Sequence, residues 1–139
     1  MKRKRLRALS LLLGVSALIS ASIPAPASAI EAAGIYANIY VDTSTWDACG
    51  EVGDRVFVGG GGYTAVLTAT GYESTIAANG VIVDADTDWG NPASPCTSGG
   101  FDSHYAVMVY TLTWTSVLGT TGTLVKICVE AWMPICSYS

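Results

Sequence analysis

Asp84, Asp86 and Asp88 stand at alternate positions, the spacing at which the first, third and fifth residues of a calcium loop offer hard oxygen ligands. The match then breaks. Trp89 fills the sixth place, Gly90 comes one place late, and Pro95 stands twelfth, where a bidentate glutamate is needed, so an EF-hand is excluded. The three carboxylates read as a calcium site only if other loops complete it, and otherwise as a solvated strand end.

Asp102, Ser103 and His104 are consecutive, which suggests a nucleophile beside its base. Adjacent residues of an extended strand point to opposite faces, so Ser103 and His104 cannot touch there. His104 reads as a structural residue at the mouth of a strand. Asp47, Glu51, Asp86, Asp88 and Asp102 are carboxylates of the kind used in glycoside hydrolysis, yet no spacing among them singles out an acid and a base. The run Gly59, Gly60, Gly61 and Gly62 opens no helix and has no lysine nearby, which removes a phosphate-binding loop. The expectation is that the protein is not an enzyme. Recognition chemistry rests instead on rings. Trp46 and Trp89 with Asp102, and Tyr36 and Tyr40 along one strand, offer rigid contact area at little entropic cost.

Cys49, Cys96, Cys128 and Cys136 are the only cysteines. An even number in an exported chain reads as two disulfides. Cys128 and Cys136 are close, with Pro134 between them, which favours that pair and therefore Cys49 with Cys96. Loop-closure entropy gives the long bridge about 4 kcal/mol and the short one about 2.6 kcal/mol. Zinc is disfavoured, because there is no CxxC pair and only one histidine.

Export is read from residues 1–29. Lys2, Arg3, Lys4, Arg5 and Arg7 precede an apolar run and then Ala27, Ser28 and Ala29, the three parts of a secretory signal cleaved after Ala29. The run is about 15 residues, short of the roughly 20 that span a bilayer. Residues 30–139 then form one domain, and of the 7 basic residues only Arg55 and Lys126 remain against 11 carboxylates, a formal charge of −9. Such a charge with no basic cluster argues against nucleic acid and anionic membranes.

The elements that must position these residues are strands, because apolar residues recur at every second position and helical spacing is nowhere sustained. Ile35, Ala37, Ile39 and Val41 form the buried side of a first strand whose outer side carries Tyr36 and Tyr40. Residues 55–58 read as a short second strand and residues 63–70 as a third. Asn79 and Gly80 predict a two-residue type I′ hairpin turn between 76–78 and 81–83. Residues 104–115 are the longest strand, placed centrally. In residues 124–133, Val125, Ile127 and Val129 are expected to face the core, with Cys128 on the outer side. A long loop is expected between Ala85 and His104, stapled by Cys49–Cys96 to the loop at 43–54, so that Trp46, Asp47, Glu51, Trp89 and Asp102 share one end. The total is an all-β chain, an antiparallel β-sandwich of about seven strands with immunoglobulin-like architecture.

Only 13% of residues are charged, against about a quarter in ordinary soluble domains, so weakly polar sheet faces are left to meet another chain. The functional expectation is a secreted, extracellular, non-catalytic interaction module that binds another protein, such as an adaptor subunit of a larger secreted assembly like a toxin complex. Two rival readings stand beside it. One is a lectin-like carbohydrate-binding domain using Trp46 and Trp89, with calcium as a candidate cofactor. The other is a small secreted inhibitor of an extracellular hydrolase.

Overall fold

A computed structural model of the chain describes residues 34–56, 61–74, 79–99, 105–130 and 133–139. Residues 1–29, expected from sequence to be a secretory signal, and Asp102 and His104 lie outside the described residues. Among the described residues there are eight strands: β1 (Ile35–Asp42), β2 (Asp47–Asp54), β3 (Tyr63–Tyr72), β4 (Val81–Gly90), β5 (Cys96–Thr97), β6 (Val107–Ser116), β7 (Thr121–Val129) and β8 (Ile135–Tyr138). They make two antiparallel sheets, one in the order β1-β2-β5 and one in the order β4-β3-β6-β7-β8. The sheets pack face to face as a β-sandwich.

Alternation builds the core. Ala37 and Ile39 of β1 and Ala48 and Val52 of β2 turn toward Leu67 of β3, Tyr110 and Leu112 of β6 and Leu124 of β7, all buried. One contact sets how closely the sheets approach. A Cβ added at Gly50 would sit 2.7 Å from Leu112 Cδ1, so β2 has no side chain where the facing sheet presents leucine.

Side chains of the large sheet close both flanks of the sandwich. On one flank, Asp84, Asp86 and Asp88 share the inner face with Ala69, Leu67 and Ala65, their partners on β3. Each reaches across to the small sheet: Asp84 Oδ2 accepts the Ser98 N–H at 2.8 Å, Asp86 Oδ2 the Cys96 N–H at 2.9 Å, and Asp88 Oδ2 the Ser94 N–H at 2.7 Å. In that segment the odd residues bond to β2, as Gly50 N–H to Pro95 O at 2.8 Å and the Val52–Ala93 pair show. The even residues therefore face outward, and the carboxylates meet them one by one. On the other flank, Ile39 of edge strand β1 donates its N–H to Tyr138 Oη at 3.0 Å, and its carbonyl accepts from Lys126 Nζ at 2.8 Å. The ammonium also lies 4.8 Å from the centre of the Tyr138 ring, a cation–π contact.

Both expected disulfides are present, Cys49–Cys96 and Cys128–Cys136. Their placement corrects the sequence reading. Cys49 and Cys96 lie inside strands and face each other across β2 and β5, on the outer surface of the small sheet, rather than stapling two loops at one end. Cys128 is fully buried and faces inward with Leu124 and Lys126. The expectation had this parity inverted. Val125, Ile127 and Val129 looked like the core side because they are aliphatic, but the core side holds Lys126, whose charge escapes along the flank to Ile39.

Three further expectations are revised. The second described strand is Asp47–Asp54, which the sequence reading took for a loop: its inward residues Ala48, Gly50 and Val52 are too small to register as an apolar alternation. Of the expected strand at 55–58, Arg55 and Val56 are not strand and residues 57 and 58 lie outside the described residues. The long loop from Ala85 is largely strand, with Asp86, Asp88 and Trp89 inside β4 and Cys96 in β5. Of the hairpin expected at Asn79 and Gly80, residues 76–78 lie outside the described residues; Gly80 lacks the positive φ of a type I′ turn, and Val81 pairs with Gly71. A ladder of nine residue pairs with β3 outweighs a local turn preference.

Candidate interaction face

The large sheet carries four charged side chains on its strands: Asp84, Asp86, Asp88 and Lys126. All four point inward and are used to close the flanks. The outer face, five strands wide, therefore bears no charge. Register makes it continuous. Thr64 of β3 lies beside Thr115 of β6 and Trp89 of β4, and Thr115 lies beside Thr121 of β7. At the opposite end Tyr72 adjoins Val107, Val107 adjoins Val129, and Val129 adjoins Ile135. The face thus grades from threonine hydroxyls and methyls at one end to aliphatic side chains at the other. Ile135 is 65% exposed and Val129 39%.

With strands about 4.8 Å apart and about 3.4 Å per residue, the face spans about 20 Å by 30 Å. That is about 600 Å² in projection, close to the roughly 800 Å² each partner gives to a standard protein interface. Few charges and many β-branched groups lower the desolvation cost of covering it, because the face has no ionised group to strip of water.

The residues singled out from sequence fall in different places. Tyr36 and Tyr40 lie on the outer face of the small sheet, and both hydroxyls donate to Glu51, at 3.2 Å and 3.5 Å. Burial, and then the Glu51 charge, push both phenols above the ordinary tyrosine value. These three side chains form a clasp across β1 and β2. Trp46 sits in the β1–β2 turn with φ of 63°, half-buried against the core, and its carbonyl accepts the buried Tyr110 hydroxyl at 2.8 Å. It caps the sandwich end. Trp89 is 66% exposed and packs against Gly62, where a Cβ would come within 2.9 Å of the indole.

Trp46 and Trp89 do not share a neighbourhood. The Asp47 carboxylate beside Trp46 binds Gly99 N–H, next to the Ser98–Asp84 end of the flank, whereas Trp89 adjoins the Ser94–Asp88 end. Four residue steps of extended strand, about 14 Å, separate those ends. The expected grouping of both tryptophans is therefore corrected.

Asp84, Asp86 and Asp88 do not converge either. Alternate strand positions are about 7 Å apart, each carboxylate serves its own backbone N–H, and among the described residues no three His, Cys, Asp or Glu side chains come together as a metal site.

A hollow of about 620 Å³ opens at the end bordered by Ile35, Asp54, Arg55, Tyr63, Val117 and Leu118. Its carboxylate is already committed. Asp54 accepts from the Tyr63 hydroxyl and from Asn91 Nδ2, while Asn91 Oδ1 accepts the Asp54 N–H at 2.9 Å. Burial, and then the hydrogen bond to Asp54, push the Tyr63 phenol up to about 12.

The sequence pointed to weakly polar sheet faces in general and not to this neutral face in particular. Its signal was there in the alternation Thr64, Val66, Thr68, Thr70 and in Thr111, Thr113, Thr115, once the aspartates and Lys126 are assigned to the inner side. No protein-family model, curated protein or solved structure matches the chain.

Proposed function

We propose that the protein is a secreted, non-catalytic interaction module that binds another extracellular protein through the neutral outer face of its five-stranded sheet. The observation that carries this reading is the sorting of charge: every charged side chain on those five strands points inward, and a face of interface size is left without one. Two disulfides are compatible with an oxidising compartment, and among the described residues no helix is long and apolar enough to cross a membrane. An adaptor within a larger secreted assembly fits a domain that offers a broad neutral face.

The test places a charge in the middle of the face without touching the core. Thr111 lies on the outer side of the central strand β6, so Thr111→Lys leaves the inner packing intact. The tagged protein is used to capture partners from extracellular fluid, with the variant in parallel and thermal unfolding as the fold control. Loss of the captured protein from the variant at unchanged Tm supports the reading. Equal capture by both forms would overturn it.

A further inference from the structure

Among the described residues the two sheets have four edges, and three are blunted. Tyr138 and Lys126 occupy the β1 edge at Ile39, the three carboxylates occupy the β5 edge, and β8 has only four residues. The β4 edge differs. It is ten residues long and has neither proline nor lysine; its guards are the inward-pointing charges Asp84, Asp86 and Asp88, all of one sign, which discourage pairing between copies but not with a basic strand. Its bulge lies at one end, where the register with β3 shifts between Ala69 and Thr70.

Backbone direction along β4 follows from its neighbours. Val117 N–H reaches Gly62 O at 3.1 Å and Ala106 N–H reaches Tyr72 O at 2.8 Å, so the even residues of β3 bond toward β6 and the odd ones toward β4. Asp84, Asp86 and Asp88 stand opposite those odd residues and turn their backbone inward. Ala85, Thr87 and Trp89 therefore turn their N–H and C=O groups outward, and no other described residue bonds to them there.

We propose that this open edge accepts an extended segment of a partner as a sixth strand, and that it selects a segment with basic side chains at alternate positions. A second copy of the chain is disfavoured as the added strand. Any antiparallel register that pairs Ala85, Thr87 and Trp89 with their own kind sets Asp86 opposite Asp88 or another of the three carboxylates, and like charges directly opposite are destabilising. A partner strand with Lys or Arg on that side meets the carboxylates instead. Each of the three uses Oδ2 for the flank, and among the described residues its Oδ1 has no partner. On the other side of the added strand, Ala85, Thr87 and Trp89 continue the neutral face and call for small or apolar residues. The inference does not depend on the face binding a protein, because the edge acts through its own backbone groups.

The probe is a synthetic peptide of alternating lysine and valine, end-blocked, with an alternating glutamate and valine peptide as its counterpart. Binding is read by Trp89 fluorescence and by amide hydrogen exchange at Ala85, Thr87 and Trp89. The lysine peptide is expected to bind and to slow exchange at those three amides, and the glutamate peptide is expected not to bind. Thr87→Pro removes an outward N–H that bonds to no described residue, so the ladder with β3 stays whole. It should weaken the lysine peptide by about tenfold, the worth of one ladder hydrogen bond. Should the proline disturb folding, a lysine peptide N-methylated at alternate positions makes the same test on the unaltered protein. Binding without protection of the three amides, or binding indifferent to both Thr87→Pro and N-methylation, would show charge adsorption alone and overturn the proposal.

Discussion

The carboxylates of β4 carry two opposing energies, and Asp86 is where they separate. Its Oδ2 accepts the Cys96 N–H at 2.9 Å, and Asp84 and Asp88 stand two residues away on either side. A hydrogen bond to a charged group contributes about 1.5–3 kcal/mol, and one to a neutral acceptor about half that. Exposure of Asp86 to water places its bond at the low end. Against it stand two like charges about 7 Å away, each costing about 0.6 kcal/mol in water and less than half of that with a screening length of about 8 Å. Asp86→Asn keeps an acceptor oxygen and removes both repulsions, so it should leave stability within about 0.5 kcal/mol of the parent. Asp86→Ala removes the acceptor too and should cost about 1 kcal/mol. Urea unfolding of the two variants at low and at molar salt separates the contributions. High salt screens the relieved repulsion, so both variants should lose ground against the parent there. Equal costs for asparagine and alanine at physiological salt would refute the assignment of these carboxylates as acceptors for the β5 backbone.

The two disulfides should respond differently to removal. Cys49 and Cys96 lie on an outer surface, so replacing both with serine should cost about 4 kcal/mol of loop entropy, with the near-ultraviolet dichroism of the folded state retained. Cys128 is buried beside Met108, and replacing Cys128 and Cys136 with alanine adds a cavity to a loop term of about 2.6 kcal/mol. The short bridge should therefore cost as much as the long one, and a loss under about 2 kcal/mol would contradict its interior placement. Tyr63 gives a pH signature. Its phenol is raised from 10.0 to about 12 by burial and by Asp54, so the neutral form favours the fold, and its stabilising contribution is complete below pH 10 and lost as pH rises toward 12. Among the 7 tyrosines, absorbance titration should show a component near pH 12 that Tyr63→Phe abolishes; its persistence in the variant would place it elsewhere.

Strand character was legible wherever large apolar residues alternate with hydroxyls, as in Tyr63–Tyr72 and Val107–Ser116. It was illegible in Asp47–Asp54, where glycine and alanine do the alternating because Leu112 fills the space from across the core. Parity failed in β7 for a different reason. A lysine on the inner face violates the ordinary sorting of polar and apolar residues, and only the path to the Ile39 carbonyl explains it. The same holds for Asp84, Asp86 and Asp88. Their spacing correctly signals a shared strand face, but which backbone they meet depends on residues ten positions later returning alongside in the other sheet. Pairing of the cysteines was readable from chain distance, while their surroundings were not, since burial is decided by the sheet packed above.

Each sulfur bridge joins neighbouring strands of one sheet, and neither links sheet to sheet. A pull applied between Ile35 and Tyr138 would therefore meet only non-covalent resistance as the layers part, and then a sudden stop. The Cys49–Cys96 bridge spans 47 positions, so about 160 Å of contour is locked away from tension until a reductant releases it. The oxidised chain would extend in one short step, and the reduced chain in a much longer one.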